Sequence, residues 1–150
     1  MNPYRQGDVF LHPIKEITIT KEAGEDQNLQ GKTILAYGEA TGHHHFFDKK
    51  LATKYSAIGC DQVEVIGEKT ELFAKILERK NKQVTVLHPR WGRTEFAEAD
   101  VEIEDDQVKV DGYFAPLYHQ EHDAIAVKKG KYQIPPQYEY KPEDIRKVRD

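Results

Sequence analysis

Hydrophobic and polar positions alternate along short stretches of this chain, and turn-forming residues separate the stretches. Three of them, 9–14, 33–37 and 83–87, are rich in β-branched or other apolar residues and lie next to glycine, proline or asparagine. A period of two residues places successive side chains on opposite faces of an extended strand. The pattern therefore predicts a mostly β protein with little helix.

One segment, 70–80, fits either a helix or a strand, because the spacing of its apolar residues is compatible with the helical repeat and with the strand repeat. We favour a strand of a hairpin that turns at Lys80-Asn81-Lys82 and returns along 83–87. Near the end of the chain, Pro142 and the acidic residues after it indicate one short helix, since proline and acidic side chains suit a first helical turn.

Two further hairpins are predicted in the second half of the chain. Residues 101–104 and 108–110 flank Asp105-Asp106-Gln107, with apolar side chains on one face and charged side chains on the other. Residues 124–127 and 132–134 flank a Lys-Lys-Gly-Lys segment, which predicts a third turn between paired strands.

Length and composition predict one folded domain over residues 1–150, with 38% hydrophobic and 32% charged residues. The net charge of −4 argues against a surface devoted to duplex nucleic acid, which needs clustered cations. A lone cysteine, Cys60, excludes an intrachain disulfide. The N-terminal segment lacks the apolar run of a signal peptide, and no stretch is apolar enough to cross a bilayer. We expect a cytoplasmic protein without membrane contact.

The segment Gly42-His43-His44-His45-Phe46-Phe47 holds the most distinctive chemistry of the chain. On a strand, His43 and His45 share one face and His44 points away. A second cluster, His119-Gln120-Glu121-His122, follows much later in the sequence. A β fold that brought the two clusters together would create one site from two distant segments.

Imidazole and carboxylate groups are ligands for a divalent ion such as Zn, Mn, Fe or Ni. The candidate ligands are the imidazoles of His43, His45, His119 and His122. The carboxylates of Glu39 and Glu121 are candidate ligands or proton carriers in catalysis. The competing interpretation is an ordinary polar turn, followed by Phe46 and Phe47 as core anchors.

These residues leave two classes of function open. The first is a metal-dependent enzyme acting on a small molecule or nucleotide. The second is a non-catalytic binding protein that engages a protein or nucleic-acid partner through the same pocket or through the Arg90-Trp91-Gly92-Arg93 loop. Such a loop more often simply packs its tryptophan. The sequence does not decide the oligomeric state, and a homodimer is compatible with it.

The His-x-His formed by His43-His44-His45, followed by His122 and the turn at Lys128-Lys129-Gly130, resembles the cupin superfamily. That resemblance implies a double-stranded β-helix, built as a β-sandwich or barrel, with a metal-binding pocket. In cupins the second motif has a proline-glycine turn and its histidine follows that turn, whereas His122 precedes the turn in this chain.

A closer resemblance is to small uncharacterised bacterial and phage proteins. Their shared motifs correspond here to 4–9, 38–45, Glu121-His122, 130–132, 137–140 and 145–150. The motifs span both ends of the chain, and residues 52–112 have no counterpart in them. We therefore treat 52–112 as a candidate insertion in a cupin-like domain. This resemblance implies no established activity.

Overall fold

The computed structural model describes residues 2–24, 30–37, 43–136, 138–140 and 145–147. In chain order its strands are β1 (Tyr4–Gln6), β2 (Val9–Ile14), β3 (Lys32–Tyr37), β4 (His44–Asp48), β5 (Ala52–Ala57), β6 (Cys60–Val65), β7 (Glu68–Lys75), β8 (Glu78–Lys80), β9 (Gln83–His88), β10 (Gly92–Ala97), β11 (Glu102–Glu104), β12 (Gln107–Leu117), β13 (Ala124–Lys128), β14 (Gly130–Ile134), β15 (Tyr138–Tyr140) and β16 (Ile145–Lys147). A short 3₁₀ helix, Glu98–Asp100, lies between β10 and β11. The expectation of a mostly β protein is confirmed. In these ranges no helix is long and apolar enough to span a membrane.

The strands form two main sheets. One has five strands in the order β1-β2-β14-β6-β5, and the other runs β11-β12-β13-β10-β9-β8 with β7 also paired to β12. Strands β10 and β13 are parallel, whereas the other described pairs are antiparallel. Two smaller hairpins, β3–β4 and β15–β16, complete the described structure, in which no closed barrel is formed.

The two main sheets share one hydrophobic core. Leu11 and Tyr132 project into it from the five-stranded sheet, and Leu117 and Ile125 project into it from the other sheet. Phe47, from the β3–β4 hairpin, is fully buried in the same cluster. Because β4 contributes to this core, the histidines at its start are held against the main body of the protein.

Strand β12 passes between two cores. In its first half Val108 and Val110 are buried, while Gln107, Lys109 and Asp111 are exposed. In its second half successive residues are buried, because Phe114 joins a second core with Val84 and Phe96 while Ala115 joins the first. Because both faces of the strand are buried there, the sequence at the end of β12 is a continuous apolar run.

The predicted turns at 80–82 and 105–107 are confirmed. Asn81 and Lys82 both have positive φ angles, 54° and 60°, as a two-residue hairpin turn requires. The returning strand β9 pairs with the short β8, whereas β7 pairs with β12. Segment 70–80 therefore forms strands rather than a helix, and only its last part belongs to the predicted hairpin.

The predicted hairpin between β13 and β14 is wrong. Strand β13 pairs with β10 and β12, whereas β14 pairs with β2 and β6 in the other sheet. The turn is a corner between sheets, because each strand finds buried partners on its own side of the shared core. The helix expected after Pro142 is also wrong where the chain is described, since Ile145–Lys147 is a strand. Residues 141–144 lie outside the described residues.

The candidate insertion, 52–112, contributes to both main sheets. Its first part supplies β5 and β6 to the five-stranded sheet, and its later part supplies β7 to β11 and the start of β12 to the other. The segment is thus integrated into the fold of this chain. Its status as an insertion relative to similar proteins stays a prediction.

Candidate functional site

An isolated pair of backbone hydrogen bonds brings the two histidine clusters together. The amide of Phe46 donates to the carbonyl of Tyr118 over 3.0 Å, and the amide of Tyr118 donates to the carbonyl of Phe46 over 2.8 Å. In an antiparallel register, this pairing sets His45 opposite His119 and His43 opposite Glu121. The two segments are 76 residues apart in sequence at His44 and Gln120, yet they run side by side.

Four imidazoles gather on one side of this pairing. The ring centroids of His45 and His119 are 4.2 Å apart, and those of His119 and His122 are 4.6 Å apart. His43 lies 6.1 Å from His119, and His45 lies 6.1 Å from His122. All four histidines singled out in the sequence therefore form one cluster, which we call the histidine cluster.

His44 belongs to the opposite face. Its backbone amide donates to the side-chain carbonyl of Gln120 over 2.9 Å, and its ring lies 5.0 Å from that of Phe46. His44 is buried, with 4% of its surface exposed. It contributes to packing on that face, away from the other imidazoles.

Two imidazoles of the histidine cluster are buried, and the other two are more exposed to solvent. His45 is fully buried and His119 is 8% exposed, whereas His43 is partly exposed and His122 is exposed. The inner two rings are fixed by packing, and the outer two border solvent. A bound molecule would therefore approach from the side of His43 and His122.

Gln6 holds the innermost ring and was missed in the sequence. Its side-chain nitrogen donates to the carbonyls of Leu117 and Asp123, over 2.8 and 2.9 Å. Both amide protons are thereby used, so the side-chain oxygen faces His45 Nδ1 at 3.0 Å and must accept its proton. His45 is held with Nδ1 protonated, and Nε2 is the nitrogen with a lone pair.

His119 is held in the opposite way. The backbone amide of Glu121 donates to His119 Nδ1 over 3.0 Å, so this nitrogen carries the lone pair. In the neutral ring the proton is then on Nε2. The two buried imidazoles, His45 and His119, thus present different groups from their Nε2 atoms.

Of the two carboxylates predicted at the site, only Glu121 lies within the described residues. Glu121 Oε1 lies 3.2 Å from His43 Nδ1, with the two side chains 61% and 29% exposed. This places Glu121 at the outer edge of the histidine cluster, where it can orient His43 or exchange a proton with solvent. Glu39 lies outside the described residues.

A groove adjoins the exposed end of the histidine cluster. It has a volume of about 540 Å³ and is lined by Gln6, Glu95 and His122, among others. Burial, together with the carboxylates of Asp123 and Glu78, raises the pKa of Glu95. Glu95 was not singled out in the sequence, because an isolated glutamate in a strand gives no motif.

No metal-binding group is already formed within the described part of the chain. There, no three side chains of histidine, cysteine, aspartate or glutamate are arranged to hold an ion. The neighbouring rings of His45, His119 and His122 are tilted by only 32° and 37°, so they pack partly face to face. The donor chemistry suits a divalent ion, but coordination at about 2.0–2.1 Å would require the exposed rings to turn.

The Arg90–Arg93 loop packs against the protein. Trp91 is 8% exposed, and its ring is stacked at 3.8 Å on His88. His88 Nδ1 accepts hydrogen bonds from the amides of Arg90 and Trp91, and burial lowers the pKa of His88. The side chains of Arg90 and Arg93 form ion pairs with Glu68 and Asp123. Trp91 is therefore a packing residue, whereas the side chains of Arg90 and Arg93 remain exposed.

Comparison with protein-family models gives a match over most of the N-terminal two thirds of the chain. Residues 5–99 match the model of a family described as "Domain of unknown function (DUF8820)", which is more than half of the chain. The chain belongs to this family. The DUF8820 match includes Gln6, His43, His45 and Glu95, and it ends before His119. No curated protein and no solved structure matches the chain.

Proposed function

We propose that this protein binds a divalent metal ion through the histidine cluster. The observation that carries the proposal is the fixed orientation of His45, which is fully buried and bonded through Nδ1 to Gln6. Histidines that bind metal ions characteristically donate the other ring proton to a nearby oxygen, which fixes the ring and its tautomer. A buried ring oriented in this way is suited to coordinate through Nε2.

The surrounding groups support the same proposal. His43 and His122 add two imidazoles from the more exposed side, and Glu121 adds a carboxylate next to His43. Imidazole and carboxylate donors suit Zn, Mn, Fe or Ni. The exposed side chains can turn toward an ion, whereas the buried His45 stays in place as the fixed ligand.

The fold fits a cupin-like interpretation. Two sheets share one core, and the histidine cluster lies where a hairpin and a loop meet at the end of β12. We propose that the domain is a cupin-like sandwich with its metal-capable pocket at this edge. The five-stranded and seven-stranded sheets would then be its two layers.

An enzymatic role is one use of such a site. A bound divalent ion would polarise a carbonyl group or lower the pKa of a bound water molecule. Glu121 is placed to carry protons between the site and solvent, because its carboxylate is exposed and contacts His43. The groove beside His122 is large enough for a small molecule, so we propose a small-molecule or nucleotide substrate.

A non-catalytic binding protein is the second candidate. It would use the same groove or the Arg90–Arg93 loop, whose tryptophan is buried and whose exposed arginines are ion-paired. No specific contact favours a protein or nucleic-acid partner at that loop. The protein's location in the cytoplasm stays a prediction.

Elemental analysis of protein purified without a tag tests the metal proposal. We expect stoichiometric metal in the wild type, and loss of that metal in His43→Ala and in His122→Ala. The matched control is His12→Ala, because His12 is an exposed histidine of β2 that stacks on Phe10. Metal-free wild type, or equal loss of metal in the control, would contradict the proposal.

A further inference from the structure

Strand β7 lies at an edge of the seven-stranded sheet. It pairs with β12 over its eight residues, from Glu68 to Lys75, in one unbroken register. In the described part of the chain, no strand pairs with its other side. Natural proteins commonly shorten, bulge or cover such an edge, because its backbone N–H and C=O groups can pair with a further strand. The open edge of β7 is therefore a candidate interaction surface.

The pairing with β12 determines which residues of β7 direct their backbone groups to the open edge. The amide of Ile76 donates to the carbonyl of Asp106 over 2.8 Å, in register with the ladder between β7 and β12. Hydrogen-bonded pairs alternate along an antiparallel ladder, so the even-numbered residues of β7 bond to β12. The odd-numbered residues Glu71, Phe73 and Lys75 direct their N–H and C=O groups to the open edge.

The same three residues have exposed side chains. Phe73 is 63% exposed, although most large apolar side chains of the described residues are buried. Glu71 and Lys75 are also exposed and lie on the same face as Phe73, because residues two apart on a strand share a face. The open edge thus presents an aromatic ring between an acidic group and a basic group.

We propose that two copies of this chain associate through β7, with the strands antiparallel and Phe73 at the two-fold axis. In this register the two Phe73 rings meet across the axis. Glu71 of each copy lies opposite Lys75 of the other, so both charged pairs are of unlike sign. Opposed aromatic residues and opposed unlike charges stabilise strand pairing, and a two-fold interface needs such a self-complementary pattern.

Neighbouring registers place like charges opposite each other. Centring the pairing on Leu72 sets Lys69 opposite Lys75 of the second copy, and centring it on Glu71 sets two glutamates opposite each other. Both arrangements are unfavourable. Only a limited set of registers is therefore compatible with the charges on β7.

A register centred on Thr70 also opposes unlike charges, since it sets Lys69 against Glu71 of the second copy. Lys69 is already engaged within its own chain, where its Nζ atom lies 2.6 Å from a carboxylate oxygen of Asp111. This register also leaves Phe73 beyond the paired residues and exposed. The register centred on Phe73 is favoured because it buries the ring and uses Lys75.

The association is independent of the proposed metal function, because no residue of β7 belongs to the histidine cluster. Joining the two copies extends one sheet across the axis, in the strand order β12-β7-β7-β12. Backbone hydrogen bonds then supply affinity, and the side chains at Glu71, Phe73 and Lys75 determine the register.

Sedimentation velocity of the full chain over a series of concentrations tests the proposal. We expect wild-type dimers whose fraction rises with concentration. Glu71→Lys and Lys75→Glu each set like charges opposite each other at both charged pairs, so each should weaken the dimer at least about tenfold. Phe73→Thr should also weaken it, because it keeps a residue suited to strands but removes the ring. Glu104→Lys makes the same charge change on the exposed strand β11 and should leave the dimer unchanged.

A mixture of the two charge variants gives the sharpest result. The Glu71→Lys chain is positive at both positions, and the Lys75→Glu chain is negative at both. Their equimolar mixture should therefore form a heterodimer with about the affinity of the wild type, although each variant alone is largely monomeric. The double variant Glu71→Lys/Lys75→Glu should form a homodimer again. Both side chains are exposed, so folding should be retained, and urea unfolding of each variant verifies it.

Four outcomes would overturn the proposal. The first is a wild type that stays monomeric even at near-millimolar concentration. The second is a dimer that neither charge variant weakens, or that Glu104→Lys weakens equally, since its interface would lie elsewhere or its stability would follow net charge. The third is weakening by Glu71→Lys without weakening by Lys75→Glu, which would place the axis at Thr70. The fourth is a mixture that associates no more than its two components.

Discussion

The Nδ1 atom of His45 lies 3.0 Å from the side-chain oxygen of Gln6, although 39 residues separate the two in sequence. The same Gln6 side chain bonds the carbonyls of Leu117 and Asp123, which flank the second histidine segment. One buried amide thus connects the first strand, the first histidine segment and the second. The arrangement of the histidine cluster therefore depends on Gln6, which is not itself a proposed metal ligand.

Replacing Gln6 by leucine should weaken both the fold and the metal site. The substitution leaves the buried Leu117 carbonyl, the partly buried Asp123 carbonyl and the His45 ring without their partner, which should cost about 1–3 kcal/mol of unfolding free energy. Metal affinity should fall ~10–100-fold, as is typical when an outer partner of a metal-binding histidine is lost. Urea unfolding and zinc titration measure the two effects.

Gln62→Leu is the matched control for Gln6→Leu. Gln62 is equally buried, and its amide bonds the backbone of Thr18 and Ile19 and the hydroxyl of Thr18. Its loss should lower stability in a similar way while leaving zinc affinity unchanged. Equal effects of both substitutions on zinc affinity would show that Gln6 acts only through general stability.

Glu95→Gln should stabilise the protein at neutral pH. Burial, aided by Asp123 and Glu78, raises the pKa of Glu95 in the folded state. A raised carboxyl pKa gives stability that is complete below the unfolded pKa of about 4.3 and is lost as pH rises through the folded value. The neutral glutamine avoids that loss, so the variant should unfold at higher urea concentration near neutral pH and match the wild type in acid.

Glu98→Gln provides a control of opposite sign. The hydrogen bond from Arg79 lowers the pKa of Glu98, so its charged form is favoured in the folded state. The substitution should leave stability unchanged or lower it at neutral pH. Stabilisation by Glu98→Gln equal to that by Glu95→Gln would point to a general effect of net charge instead.

The protein should lose stability at alkaline pH through two buried tyrosines. Burial and the nearby Asp100 raise the pKa of Tyr4 and of Tyr132 well above the usual range. The stability that they contribute is complete below the ordinary tyrosine pKa of about 10, and it falls as pH rises above that value toward the raised folded values. Urea unfolding at a series of alkaline pH values would reveal this loss.

Tyr132→Phe should make that alkaline loss smaller, because one of the two raised groups is removed. Tyr4→Phe should do the same and should also cost about 1.5–3 kcal/mol at neutral pH, since Tyr4 donates a 2.6 Å hydrogen bond to Asp100. Tyr113→Phe, at an exposed tyrosine, controls for the loss of a phenol. An unchanged alkaline slope in both buried variants would contradict the assignment.

The local features of the fold could be predicted from the sequence. Alternation of apolar and polar residues indicated the strands, and the Lys80-Asn81-Lys82 and 105–107 segments indicated turns, because these properties depend on neighbouring residues. The corner at Lys129 and Gly130 was mistaken for a hairpin. Its flanking strands pair with partners far away in sequence, and a local sequence pattern does not indicate which distant strand a segment pairs with.

The same limit applies to the site. The spacing of His43 and His45 was readable from strand geometry, but their contact with His119 depends on the pairing of Phe46 with Tyr118. Gln6 follows Tyr4 at a spacing of two, so it shares an inward-facing position with a buried aromatic residue. A polar residue at such a position is the signal that could have identified it. Glu95 gave no comparable signal.

Anomalous diffraction from crystals of the zinc-loaded protein, measured at the zinc absorption edge, tests the central claim most directly. We predict a strong peak at about 2.0–2.1 Å from nitrogen atoms of His43, His45 and His122, with His45 Nδ1 still bonded to Gln6. A peak only elsewhere, for example at the exposed His12, or no peak beside the histidine cluster, would contradict the claim that these imidazoles hold a metal ion.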